Sequence, residues 1–230
     1  MLRSIGLLAL VMVSALSPTA YAETLSPVDV ALDPGHSRAD VGSVGGGLRE
    51  YEVSLDLAQR VRTRLETDGL SVRLTREDGR PLTALSAPGA TAQIQAEQAA
   101  RIAAGGPARV YVSLHLNGGS AGLRGTETYY NPGRDPFGSD WLLASALQRN
   151  VVAALMEAGY PTPDRGVKND LAAGKPYGHF FSLRGPAPSA LLEALFLSNA
   201  TEAALLRDDA IRDAIAAGVT QGIREYLVES

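Results

Sequence analysis

The sequence predicts a three-layer α/β/α domain, with a mostly parallel, twisted sheet of about six strands covered by helices on both faces. Three observations lead there. Short apolar runs alternate with longer stretches of helical period, the pattern of crossover-connected parallel strands. The chain has 230 residues with 45% hydrophobic content, enough for one compact domain with a sizeable core. Gly- and Pro-rich segments at 42–47, 131–138 and 161–176 punctuate the pattern as loops.

The elements follow in order. A first strand reads at Val28 to Leu32. It is followed by a helix in which Val53, Leu57, Val61 and Leu65 recur every four residues, with Ala58 beside them and Arg60, Arg62, Arg64 and Glu66 mostly outward. Gly69 closes that helix. Further strands are expected at Ser71 to Thr75, Val110 to Leu114, Thr126 to Tyr130, His179 to Leu183 and Ala190 to Leu195. Helices are expected at Thr91 to Ala104, stopped by Gly105-Gly-Pro107, and at Trp141 to Ala158, opened by Ser139 or Asp140. Asn199-Ala-Thr-Glu202 has the spacing of a capping box before Ala203 to Leu206, and Asp208 to Leu227 reads as a last amphipathic helix.

The amino terminus has the three parts of a secretory signal peptide: Met1-Leu-Arg3, an apolar stretch from Ile5 to Leu16, and Ala20-Tyr-Ala22. Cleavage after Ala22 leaves 23–230 as the mature domain. An uncleaved anchor is the alternative, though the stretch is short for a span and ends in Ser-Pro-Thr. There is no cysteine, so an exported domain gains no disulfide, and any zinc would be held by nitrogen and oxygen alone. The formal charge of −4, with basic residues interspersed among acids, argues against a nucleic-acid partner.

Three residues at or beside strand ends stand out, where ligands gather in layered α/β domains. Asp33-Pro-Gly-His36 turns sharply after the first strand, and His115 ends the run Val110 to Leu114. Glu193 lies in the otherwise apolar run Ala190 to Phe196, where a charge is costly unless paired or functional. A salt bridge to Arg184 is the structural alternative for Glu193, as a hydrogen-bonded loop or core histidine is for His36 and His115. Glu50, at the start of the first helix, suits a first-turn acid. Together with the two histidines it also makes a two-nitrogen, one-carboxylate set that fits zinc. Glu193 then has a task as general base on a metal-bound water.

The motifs Val30-Ala-Leu-Asp-Pro-Gly-His36, Gly47-Leu-Arg-Glu50, Val72-Arg-Leu-Thr-Arg76, Val112-Ser-Leu-His-Leu-Asn117, Arg165-Gly-Val-Lys168 and Leu192-Glu-Ala-Leu-Phe-Leu-Ser-Asn199 follow one another in a specific order. On these the chain resembles the zinc-dependent N-acetylmuramoyl-L-alanine amidases of the Amidase_3 type, from about Val28 to the carboxyl terminus. The resemblance implies His36, Glu50 and His115 as ligands of one zinc ion and Glu193 as the catalytic glutamate. It further implies hydrolysis of the amide between N-acetylmuramic acid and L-alanine in peptidoglycan. Asn117, Lys168 and Arg184 are candidate substrate contacts. His179 falls outside the ligand set. Ser37, Tyr51 and Leu116 depart from residues usual in the family, which bears on substrate fit and removes no donor atom.

Two rivals remain at this point, another zinc peptidase cutting within the stem peptide and a non-catalytic peptidoglycan-binding domain. The expected setting is the periplasm, or the extracellular space for a released enzyme. The expected state is a monomer without a membrane anchor after signal cleavage, with any activator protein unspecified.

Overall fold

The computed structural model describes residues 25–84, 91–134 and 138–229. The leader expected over 1–22 lies outside the described residues. In chain order the elements are β1 (Val28–Pro34), β2 (Val44–Gly45), β3 (Leu48–Arg49), α1 (Glu50–Thr67), β4 (Val72–Leu74), α2 (Thr91–Gly105), β5 (Ala108–Asn117) and β6 (Thr126–Tyr130). They continue with α3 (Ser139–Glu157), β7 (Asp164–Asn169), β8 (Ser189–Phe196), α4 (Ala200–Leu205) and α5 (Asp209–Glu229). None of the described helices is long and apolar enough to cross a membrane.

Six strands form the main sheet in the order β4-β1-β5-β8-β6-β7, while β2 and β3 make a separate small hairpin. Every neighbouring pair is parallel except β6 against β8. One face is apolar. Val30, Leu32, Val110, Val112, Leu114, Ala190 and Leu192 pack there with Leu57, Val61 and Leu65 of α1, Leu143, Leu147 and Val151 of α3, and Ile215, Val219 and Ile223 of α5. Helix α5 lies so close to α3 that a Cβ on Gly218 would stand 2.6 Å from the Cα of Val151. Only a residue without a side chain permits that approach.

The other face is covered by α2 and a short 3₁₀ turn, Phe181–Arg184. Here Tyr129, Phe180, Leu183 and Leu191 form a second, smaller apolar cluster. The strand expected at His179 to Leu183 is absent. Gly178, at φ +75°, turns the chain, and the aromatic run that follows folds into the 3₁₀ turn. The sixth strand is instead β7, in a stretch read from sequence as loop. Its residues Asp-Arg-Gly-Val-Lys-Asn carry no apolar run because it sits at the edge of the sheet, where charged side chains are tolerated and guard against mispairing.

The predicted cap of α4 is half right. Asn199 accepts from the backbone of Thr201 and Glu202, as an N-cap does. Glu202, however, does not reach back to the cap residue. It is fully buried and accepts hydrogen bonds from the amides of Gly125 and Phe196 and from the hydroxyl of Tyr160.

Candidate metal centre

Along each strand, side chains alternate between the two faces. The residues opposite the apolar set are polar: Asp33 on β1, Ser113 and His115 on β5, Glu127 on β6 and Glu193 on β8. The registers place His115 beside Glu193 and Glu193 beside Glu127. A bulge between His115 and Asn117 ends regular pairing just beyond the histidine.

His36 enters from the turn after β1 with φ +60°, the only described non-glycine residue in that left-handed region. Such a conformation costs about 1–3 kcal/mol and needs support from its surroundings. Two buried arginines supply it. Arg101 of α2 donates to the carbonyls of Pro34 and His36, and Arg76 donates to those of Pro34, Gly35 and Tyr51. Arg101 is in turn ion-paired with Asp33, both fully buried, and with Glu97 one helical turn away. Thr75 and Ser113 donate hydroxyl hydrogen bonds to Asp33.

Glu50 links the two histidines. Its Oε1 lies 3.2 Å from His36 Nε2 and 2.9 Å from His115 Nδ1, and accepts from the Leu116 amide, while Oε2 accepts from the Ser43 amide. The imidazole rings meet edge to face with centroids 4.9 Å apart. Asp40 holds the other nitrogen of His36 at 3.1 Å. Gly35 makes room for this arrangement, since a Cβ there would lie 2.4 Å from His115 Cε1.

The electrostatics follow from burial and charge. Burial penalises the His36 cation, yet the hydrogen bonds to Asp40 and Glu50 outweigh it and raise its pKa to about 10. Burial likewise opposes ionisation of Glu50, and the two imidazoles reverse that, holding its carboxyl well below the usual range. For His115 desolvation dominates and the pKa falls. Glu193 is pushed well above an ordinary glutamate, first by burial and then by the charge of Glu50. Its Oε2 is buried without a hydrogen-bond partner, as is His115 Nε2.

These features pass a test for a bound cation. One ligand atom each from His36, Glu50 and His115 falls within a common 4.8 Å. Tetrahedral donors about 2.0–2.2 Å from a zinc ion stand about 3.3 Å from one another, close to the separations here. Asp40 orients His36 through its far nitrogen, the usual arrangement around a metal-bound histidine. At His115 the nitrogen close to Glu50 is Nδ1, and Nε2, on the far side of the ring, has no partner among the described residues.

His36, His115, Asp40 and Glu193 line one cavity of about 260 Å³ together with Ile94, Gln98, Lys175, Tyr177, Phe180, Phe181, Ser182 and Leu191. The remaining sequence candidates stand apart from this lining. Asn117 and Lys168 both donate to Glu127, which also accepts from Arg165 and Tyr129. Arg184 donates to the carbonyls of Tyr177 and His179 and stacks 4.3 Å over Phe181. It makes no ion pair with Glu193 among the described residues. His179 is held by Asp170 at 2.7 Å.

Sequence reading missed Asp40, Glu97, Arg101, Glu127 and Lys175. The helical spacing of Glu97, Arg101 and Gly105 was available as a signal, but a charged stripe reads as a solvated face until the strand opposite is seen to carry Asp33.

A layered α/β fold thus carries a His–Glu–His cluster whose two histidines share a cavity with Glu193, a candidate metal centre. The sequence model of the N-acetylmuramoyl-L-alanine amidase family Amidase_3 matches residues 30–225, and the chain belongs to that family. It is 30% identical over 209 residues to the germination-specific N-acetylmuramoyl-L-alanine amidase of Bacillus subtilis, covering 89% of this chain and 82% of the relative. It is 32% identical over 199 residues to the amidase LytC of the same organism, covering 86% of this chain but 35% of LytC. Among solved structures, the CwlD amidase of Clostridioides difficile, in complex with the GerS lipoprotein, matches with TM-score 0.70 at 25% identity, covering 88% of this chain and 100% of that one. The chain is thus a cell-wall hydrolase of the amidase class.

Proposed function

We propose that the protein is a zinc-dependent amidase that hydrolyses the bond between N-acetylmuramic acid and L-alanine in peptidoglycan, with His36, Glu50 and His115 as ligands of one ion. The convergence of three donor atoms, two of them from histidines that line the same cavity as Glu193, is the observation that carries this reading. When bound, zinc supplies Lewis acidity toward the amide carbonyl and lowers the pKa of water toward about 7.

The residues of the chain do the rest. Glu193 takes the proton of the attacking water and delivers it to the departing amine of L-alanine. Its basicity, raised by desolvation, suits proton uptake. Asp40 keeps His36 in one ring orientation, and Arg101 and Arg76 hold the backbone that presents it. The cavity walls from Ile94, Tyr177, Phe180 and Phe181 limit water around the reacting atoms.

Residues 1–22 serve as an export signal and 23–230 as the catalytic domain, acting as a monomer outside the cytoplasmic membrane, in the periplasm. A partner in the manner of the CwlD–GerS complex is compatible with this reading, and the surface it would use is unassigned. The test pairs metal analysis with mass spectrometry of digested cell wall, on the mature chain and on Glu193→Ala. One zinc per chain, release of free stem peptides by the wild type and a zinc-loaded but inactive variant are expected. Cuts within the stem peptide would identify a peptidase instead, and undiminished digestion by Glu193→Ala would remove that residue from the chemistry.

A further inference from the structure

The basic groups around the cavity are not equivalent. Lys168 is ion-paired to Glu127, which also engages Arg165, and the Arg184 guanidinium is occupied by two backbone carbonyls and the Phe181 ring. Lys175 alone among lysines and arginines lines the cavity. It is exposed, its ammonium makes no ion pair among the described residues, and it stands 6.0 Å from the centroid of the Phe180 ring. No hydrogen bond or ion pair joins it to Glu193 among the described residues, although its charge acts on that carboxylate through space. The segment that carries it is braced rather than loose. Arg184 ties down the carbonyls of Tyr177 and His179, Tyr177 stacks on Phe181 at 4.4 Å, and Asp170 accepts from the Phe180 amide.

A fixed, unpaired cation at the mouth of a catalytic cavity selects an anionic group on the substrate. The N-acetylmuramoyl unit has spent its only carboxyl group in the scissile amide. The anion must therefore come from the peptide side. We propose that Lys175 binds a carboxylate of the peptide beyond L-alanine and makes the enzyme prefer anionic stems over amidated ones. This inference deepens the amidase reading and rests on it for the orientation of the substrate.

The test is equilibrium binding to the zinc-loaded Glu193→Gln protein, which holds substrate without turnover. The probes are N-acetylmuramoyl-L-alanyl-D-glutamate and the same compound with both glutamyl carboxylates amidated. The acid is expected to bind roughly fivefold tighter than the diamide, the scale of one exposed charge pair. Adding Lys175→Ala should erase that preference, Lys175→Arg should keep it, and raised salt should weaken it. In turnover assays Lys175→Ala should raise KM for the acid with kcat nearly unchanged. Equal affinity for the two probes, no measurable binding of either, or a preference that survives Lys175→Ala overturns the inference. If the preference holds while the wild-type enzyme leaves the muramoyl amide intact, the amidase reading fails and the carboxylate site stands.

Discussion

On the face of the sheet packed by α1, α3 and α5, the strands present Val30, Leu32, Val112, Leu114 and Leu192 to apolar side chains. On the face under α2 the same strands present Asp33, Ser113, His115 and Glu193 to Arg101, Glu50 and the cavity. Strands of parallel sheets are usually apolar on both sides. Here one face supplies burial and the other gives up much of it to hold charges at fixed positions. The second face must then satisfy each buried group individually, and it does so for Asp33, Glu50, Arg76 and Arg101, while Glu193 Oε2, His115 Nε2, Gln98 Oε1 and the Tyr111 hydroxyl have no partner among the described residues. Of these, Glu193 Oε2 lies where the proposed chemistry needs an atom to be available.

Four experiments sharpen or break this contrast. The largest effect is expected from Glu193→Gln. Activity on peptidoglycan should fall by about 10²–10⁴-fold, the worth of a general acid–base group. The metal-free protein should at the same time become more stable. Glu193 is half-buried with Oε2 enclosed, and its pKa is raised above the unfolded value, so the native state binds the extra proton. Its contribution to stability is therefore present at low pH and is lost as pH rises above about 4.5, the ordinary glutamate value. Thermal melts of wild type and variant should diverge with rising pH, and identical melts at neutral pH would show that burial of this carboxylate carries no penalty.

Next come paired truncations of the two faces. Arg101→Ala breaks a buried ion pair and should cost about 3–5 kcal/mol, and Leu147→Ala on the apolar face should cost about 2–5 kcal/mol. Denaturant titration reads both. Of the two, Arg101→Ala alone should also weaken zinc binding, because Arg101, unlike Leu147, supports the strained backbone of His36. Equal metal affinity in the two variants would show that the site stands without that support.

A smaller effect belongs to Glu127. Burial would raise its pKa, but Lys168, Arg165, Asn117 and Tyr129 outweigh burial and depress it to about 2. Stability from these contacts is present above the unfolded value of about 4.5 and is lost as pH falls toward about 2. Glu127→Gln should flatten the acid limb of a stability profile. The smallest effect is expected from His179→Ala. Its partner is Asp170, so zinc content measured by metal analysis should be unchanged. Loss of metal there would reverse the ligand assignment.

Much of the apolar face was legible beforehand, because a helix such as α1 or a strand such as β5 writes its buried side into the spacing of Val, Leu and Ile. The edge strand β7 was not. Its pairing with β6 comes from backbone hydrogen bonds that any residues can make, and Asp164, Arg165 and Lys168 give no apolar period to read. The run from His179 to Leu183 misled for the opposite reason, since aromatic residues suit either a strand or a 3₁₀ turn against Tyr129 and Leu191.

From the sequence alone came the layered class of fold, the order of most elements, and His36, Glu50, His115 and Glu193 as candidate groups, three of which the structure draws into one cluster. These follow from local rules: side-chain period, turn residues, and the cost of placing a charge in an apolar run. Only the packed molecule shows that Arg101 and Arg76 brace His36, that Glu127 neutralises Lys168, and that Lys175 is, among the described residues, the cation left unpaired at the cavity. Partners such as Arg101 and His36 are separated by 65 positions and meet only after β1 and α2 have packed. No local pattern encodes such a meeting, because a charge has the same chemical formula whether it ends in water, in an ion pair, or at the mouth of a site.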